Sequence, residues 1–253
     1  MDGIGRGIAR GRTARAAVRD GDRAGTAVDR EDASDTPCPL SGALVCLRGT
    51  MQILNPEVER DILASKPLRI DLGSGGGEKP GFYGLDVKPI NEHVDIVADL
   101  NAPLDLLPDD SVGEIYSCHV LEHINNFVGL MEELHRIVRA DGMIDIRVPH
   151  FSNPHYYSDP THVRFFGAYT FYYFTSEQRQ PSFRKVPAFY SNRRFVVEEV
   201  TITLLNQALI DRLMFPRLFR FINKSPERQD FYERRLCRIF PANGIRYLLR
   251  PEK

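Results

Sequence analysis

Cysteine is scarce in this chain. Cys38, Cys46, Cys118 and Cys237 are scattered, with no C-x-x-C pair among them. That spacing speaks against both a zinc site and a disulfide framework, and it fits a reduced, cytoplasmic compartment. An excess of charge of one sign is also missing, because the formal net charge is −1. No overall field therefore argues for nucleic acid or an anionic membrane as partner. No apolar run approaches the roughly 20 residues needed to span a bilayer, and no signal-peptide core is present. A soluble protein is expected.

Large apolar residues are nearly absent from residues 1–50, where Arg6, Arg10, Arg12, Arg15, Arg19 and Arg23 stand among Gly, Ala and Asp. Such a segment cannot bury enough surface to offset its ordering entropy. Arginine richness suits a transit peptide, but Asp2, Asp20 and Asp22 weaken that reading. The expectation is a disordered or non-native extension, with Met51 as the biological start. A native chain whose first residue is Met1, found by N-terminal sequencing, would contradict this.

Regular patterning begins at Asn55. Pro56–Ala64 reads as a short helix with Asn55 as N-cap and proline at its first position. An apolar strand over Leu68–Leu72 runs into the glycine-dense Gly73, Gly75, Gly76 and Gly77, then a strand over Phe82–Leu85 ends on Asp86. Val94–Ala98 and Glu114–Cys118 read as further strands. A helix is expected from Asn126 to Arg139, where Phe127, Leu130, Met131, Leu134, Ile137 and Val138 approach the 3.6-residue period, with Gly142 as its stop. Met143–Val148 is the next strand. Strands alternating with loops and helices indicate an α/β protein with a doubly wound, mostly parallel sheet. Only about ten residues separate the first two of these strands, whereas a parallel crossover takes about a dozen or more. The first crossover helix is therefore expected to be absent or reduced to one turn.

Beyond Pro149 the chain is rich in aromatics and histidine. A helix is expected over about His162–Phe174, capped by Thr161 or Asp159. A long strand over Phe195–Leu204 and an antiparallel terminal partner over Gly244–Leu249 flank two inserted amphipathic helices, Ala208–Ile222 and Pro226–Phe240. The organised chain, 51–253, thus divides into a cofactor-binding half, 68–149, and substrate-side and helical additions, 150–253. The first inserted helix carries both an apolar stripe and arginines. Burial against the domain is the usual fate of such a stripe, while contact with lipid or a dimer partner stays open.

The turn Asp71-Leu72-Gly73-Ser74-Gly75-Gly76-Gly77 fits D-x-G-x-G-x-G, a pattern that NAD and FAD domains share. An acidic side chain at the tip of the following strand suits ribose hydroxyls. Further on come Asp99 in VADL, HVLEHI after the fourth strand, and MEELHRIVRADG leading into the fifth. This ordered series, over roughly Leu68 to Pro149, resembles the class I S-adenosylmethionine-dependent methyltransferases, in particular the type 11 group, with a Rossmann-like fold. GGGEKPGFYGLDV and DPTHVRFF resemble a bacterial subgroup often associated with surface glycan biosynthesis.

The resemblance implies S-adenosyl-L-methionine as cofactor. Gly73, Gly75 and Gly77 would then form the turn against its methionine portion, with Asp71 reaching the methionine amino group. Asp86 would bind the ribose hydroxyls, and Asp99 and the Leu100 N–H would face the adenine. The backbone at Cys118 and His119 would contact the methionine end. A small polar or glycan acceptor, methylated at a hydroxyl, calls for a general base, and histidine suits that task near neutral pH. The candidates are His119, His150, His155, Asp159 and His162, with Arg164 and Tyr156 on the substrate. No metal is assigned, because the His/Asp spacing fits no standard ligand motif. His123 reads as a cap of the next helix and His135 as part of a solvated face. Two rivals stay open at this stage: an NAD-dependent oxidoreductase, in which Asp99 and HVLEHI have no role, and a non-catalytic cofactor-fold module. Monomer and homodimer are both compatible with the sequence.

Overall fold

The computed structural model describes residues 51–77, 79–204 and 209–253. The expected N-terminal extension, residues 1–50, lies outside the described residues, as does Ala208 at the start of the first inserted helix. Strand β1 (Gln52–Ile53) leads into helix α1 (Pro56–Leu63). The Asn55 side chain caps that helix by accepting the Glu57 N–H at 2.9 Å. Then follow β2 (Leu68–Leu72), β3 (Tyr83–Asp86), β4 (Ile96–Val97), β5 (Val112–Cys118), α2 (Phe127–Ile137) and β6 (Val138–Pro149). The chain closes with β7 (Arg194–Leu204), α3 (Leu209–Ile222), α4 (Pro226–Arg235) and β8 (Ala242–Glu252).

The eight strands among the described residues form one sheet in the order β1-β4-β3-β2-β5-β6-β8-β7. The run β4-β3-β2-β5-β6 is parallel. β8 lies antiparallel between β6 and β7, and β1 caps the other edge antiparallel to β4. This is the Rossmann-like α/β architecture with a terminal antiparallel strand. Ile70, Leu72, Leu85, Ile115, Ile144 and Ile146 are buried in the sheet. Residues exposed to solvent on neither face suit the apolar runs that a covered parallel sheet requires. From β2 the chain first builds outward through β3 and β4, then returns to add β5 and β6 on the other side. Ligands bind such sheets at the carboxyl ends of the strands where the order reverses, here between β2 and β5. The shortened crossover is as expected: a 3-10 turn, Ser74–Gly76, stands in place of a helix.

Three local expectations give way to tertiary partners. The helix expected over His162–Phe174 does not form. Its backbone is drawn to neighbours instead, with the Val163 N–H donated to Glu122 O and the Phe166 O accepting from Phe151 N, and only a 3-10 turn remains at Thr170–Phe174. Gly142 does not stop α2, which ends at Ile137. Val138 already pairs with Val112, and Gly142 lies within β6, where a Cβ would come 2.9 Å from Gly113 O. His135 is buried, not solvated. Its Nε2 lies 3.3 Å from Glu252 O and its ring meets Phe195 edge-on, because β7 and β8 cover that face of α2; burial lowers its pKa. The second inserted helix is also shorter than expected and ends at Arg235. Among the described residues no helix is long and apolar enough to cross a membrane.

Candidate cofactor cleft and active site

At the reversal of strand order the chain leaves a cleft of about 320 Å³, within the usual range of small-ligand pockets, about 300–1,000 Å³. One wall is Gly73 and Asp86 with Val87. The floor is Ala98, Asp99, Leu100 and Asn101. The far end is His119, Val120, His123 and Ile124. Gly73 sits in the left-handed region at φ 74°, and a Cβ there would come 2.3 Å from Val120 Cγ2, so only glycine suits the position.

Both Asp86 oxygens are engaged. Oδ2 accepts the Gly75 N–H at 3.0 Å and Oδ1 accepts the Val87 N–H at 2.7 Å. Each oxygen keeps a further lone pair, so the carboxylate is oriented by the glycine turn and can still accept from a ligand. Asp99 forms a local turn, its Oδ1 accepting from both the backbone N–H and the side-chain amide of Asn101 at 2.9 Å. The Asn101 Oδ1 accepts in turn from the N–H groups of Asn125 and Asn126, which ties the floor to the start of α2. An acidic tip on β3, a second carboxylate on the floor and apolar Ala98, Leu100 and Ile124 fit an adenosine group.

At the far end, His119 has φ 58°, uncommon for a residue that carries a Cβ and a mark of functional sites. Two bonds hold it there: its N–H donates to Arg147 O at 2.9 Å, and its Nδ1 lies 3.2 Å from Oε1 of the fully buried Glu122. That carboxylate raises the His119 pKa, against an opposing effect of burial. The ring is otherwise exposed to the cleft.

Several expected site residues lie elsewhere. Asp71 and Gly77 line a second cavity of about 230 Å³ together with Ser74, Lys79, Tyr83 and His93. Burial lifts the Asp71 carboxyl to about 6, against a smaller lowering by Lys79. The missing crossover helix leaves the turn open on this side. The His119 N–H is taken by Arg147, so it is not free for the methionine end, and Cys118 is not among the lining residues. His150 is wholly buried between Ser152 Oγ at 2.8 Å and Glu233 Oε1 at 3.2 Å; it pins β6 to α4. His155 is exposed on the 3-10 turn Pro154–Ser158.

Asp159 and His162 do approach the cleft. Asp159 Oδ1 accepts both the N–H and the hydroxyl of Thr161, at 2.8 and 2.6 Å, which gives the expected rigid turn. His162 Nε2 lies 4.0 Å from Glu122 Oε1, and its ring is 4.8 Å from that of His123. Arg164 donates to the carbonyls of Ile124 and Asn125 and lies over the Phe127 ring, so it clamps the loop behind His123 instead of reaching into the cleft. Tyr156 is buried, its hydroxyl donated to Arg164 O and its ring against His162. Sequence reasoning missed Glu122 and gave His123 a capping role, which Asn126 performs by accepting the Gly129 N–H. The signal was present in the H-x-x-E-H spacing of HVLEHI.

Residues 86–146 match the family described as "Methyltransferase domain". That span holds Asp86, Asp99, the H-x-x-E-H run and α2. No curated protein matches the sequence. Among solved structures the chain is similar to the YcgJ protein of Bacillus subtilis, at 15% identity over 78% of this chain and 98% of that one, with a TM-score of 0.42. It is also similar to a SAM-dependent methyltransferase from Archaeoglobus fulgidus, at 19% identity over 78% and 92%, with a TM-score of 0.41. A third is an S-adenosylmethionine-dependent methyltransferase from Mesorhizobium loti, at 16% identity over 77% and 96%, with a TM-score of 0.37. The domain match covers the cleft's lining from Asp86 to Ile124 but not Gly73 and the glycine turn. Residues 86–146 thus carry a methyltransferase domain, and S-adenosyl-L-methionine is the cofactor that such a domain implies.

Proposed function

We propose that this protein is an S-adenosylmethionine-dependent methyltransferase acting in the cytoplasm on a hydroxyl of a small polar acceptor, a sugar of a surface glycan being the class that fits best, with His119 as general base. The observation that carries this reading is the His119–Glu122 pair at the end of the cleft. A buried carboxylate holds Nδ1 and so leaves Nε2 as the basic nitrogen of the neutral ring. Asp86 and Asp99 orient the cofactor through its ribose and adenine.

S-adenosylmethionine, held through Asp86 and Asp99, would supply a methyl group on a sulfonium, open to in-line displacement. His119 would take the acceptor hydroxyl proton as that oxygen attacks the methyl carbon, the sulfur leaving with the bonding electron pair. Positioning alone lowers such a barrier by several kcal/mol, and a general base adds about 10²–10⁴-fold. The exposed rings of Tyr157 and Phe165, 5.9 Å apart beside Tyr156, offer a surface for the apolar face of a sugar.

The test is a panel of hydroxyl, amine and thiol acceptors, read by formation of S-adenosylhomocysteine and by the mass gain of the acceptor. Methylation of hydroxylated sugars that falls at least about 100-fold in His119→Ala supports the reading. Turnover confined to amines or thiols would overturn it.

A further inference from the structure

Glu122 is more than the orienter of His119. It is fully buried, and its Oε2 has no hydrogen-bond partner. A buried carboxylate oxygen left unmet is costly unless positive charge sits against it. Two imidazoles besides His119 approach the same carboxylate: one donor atom from each of Glu122, His123 and His162 lies within 4.8 Å of the others.

Hydrogen bonds on the outer side decide where each imidazole keeps its lone pair. Tyr156 O can only accept, so His162 Nδ1, at 2.9 Å, donates to it, and Nε2 is left basic between Asp159 Oδ2 at 3.7 Å and Glu122 Oε1 at 4.0 Å. The Thr161 hydroxyl gives its proton to the Asp159 carboxylate at 2.6 Å. It therefore accepts from His123 Nδ1 at 2.9 Å, which leaves the lone pair of His123 on Nε2. Outer hydrogen bonds of this kind to carbonyls and other acceptors are what orient histidine as a metal ligand. Two imidazole lone pairs gathered with a buried, half-satisfied carboxylate repel unless a cation lies among them.

We propose that Glu122, His123 and His162 form a divalent-cation site at the end of the cofactor cleft. Two histidines and one carboxylate suit a first-row ion such as Mn²⁺ or Zn²⁺ with open positions. His123 lines the cleft, so those positions face the acceptor. A hydroxyl bound there would give up its proton more readily, and His119, held by the same Glu122, would receive it. This role deepens the hydroxyl reading and rests on it; the site itself does not.

The test titrates the full chain, stripped with a chelator, with MnCl2 and separately with ZnCl2, followed by calorimetry and, for Mn²⁺, by the electron paramagnetic resonance of the free ion. The expected result is one ion per chain, with affinity at least about 10–100-fold weaker in His123→Ala and His162→Ala and unchanged in His155→Ala. Because those truncations can disturb the 159–162 turn, Glu122→Gln serves as a second variant that keeps shape and removes charge. Its circular dichroism and Tm are recorded, and it is expected to fold and to lose the ion. No saturable binding of either ion to wild type overturns the proposal, as does wild-type affinity in a folded Glu122→Gln. No acceptor is needed, so a failed acceptor panel leaves this result standing, and a failed titration leaves the acceptor panel standing.

Discussion

The Asp86 carboxylate and the Gly75 amide are joined by a 3.0 Å hydrogen bond. One bond thus links the tip of β3 to the glycine turn that follows β2, across the cofactor cleft's wall. A Cβ on residue 75 would stand 2.9 Å from Asp86 Oδ2 and 2.5 Å from Ile90 Cδ1. Gly75→Ala is expected to displace the carboxylate and to weaken S-adenosylhomocysteine about tenfold or more. Because both substitutions act on one bond, Gly75→Ala and Asp86→Ala should be strongly non-additive in a double-mutant cycle. Calorimetric additivity would show that the turn and the carboxylate act separately.

Asp71 sets a pH dependence of stability. Its folded pKa, about 6, lies above the ordinary 3.8 because burial disfavours the charged form. A raised carboxyl pKa stabilises the fold below pH about 4, and that contribution is lost as pH rises through about 6. Asp71→Asn should therefore flatten the profile between those values and raise stability at neutral pH by at most about 3 kcal/mol. Urea melts from pH 4 to 8 check this; an unchanged slope in the variant would contradict it.

Arg164 is bonded to the carbonyls of Ile124 and Asn125 and stacked on Phe127. Arg164→Met should lower stability by about 1–3 kcal/mol through carbonyls left without their donor. Arg164→Lys should rescue little of this, since an ammonium cannot reproduce the planar fork. Thermal melts read both. A variant that keeps wild-type Tm but loses affinity for an anionic acceptor would place Arg164 on the substrate instead.

His119→Asn, which keeps a polar side chain but removes the base, should lower kcat about 10²–10⁴-fold while leaving S-adenosylhomocysteine affinity within about threefold. Steady-state kinetics and calorimetry together separate the two. Equal losses in both would make His119 a cofactor-binding group.

The sheet was legible because apolar runs, the cap at Asn55 and the short first crossover are local signals. So was Asp86 at the end of β3, whereas β4 is shorter than expected and Asp99 lies two residues beyond it. The aromatic segment after Pro149 misled. Its helical spacing is overridden by Val163 and Phe166 bonding to Glu122 and Phe151, contacts between segments far apart in sequence. His150 and His162 are neighbours in composition but not in environment: one is sealed against Glu233 and the other faces Glu122. Periodicity carries no information on such burial. The fully buried Glu122 was hidden in the same way, since only the packed fold shows that a charged residue in HVLEHI has no access to water.

The cleft beside Asp86 and Asp99 is the proposed seat of S-adenosylmethionine. Titration calorimetry of the full chain with S-adenosylhomocysteine and with NAD tests it directly, on wild type and on Asp86→Ala. One molecule of S-adenosylhomocysteine per chain is expected, at least about tenfold weaker in the variant, as suits the loss of a charged hydrogen-bond acceptor, and no binding of NAD. Failure to bind S-adenosylhomocysteine, or equal affinity in Asp86→Ala, would contradict it.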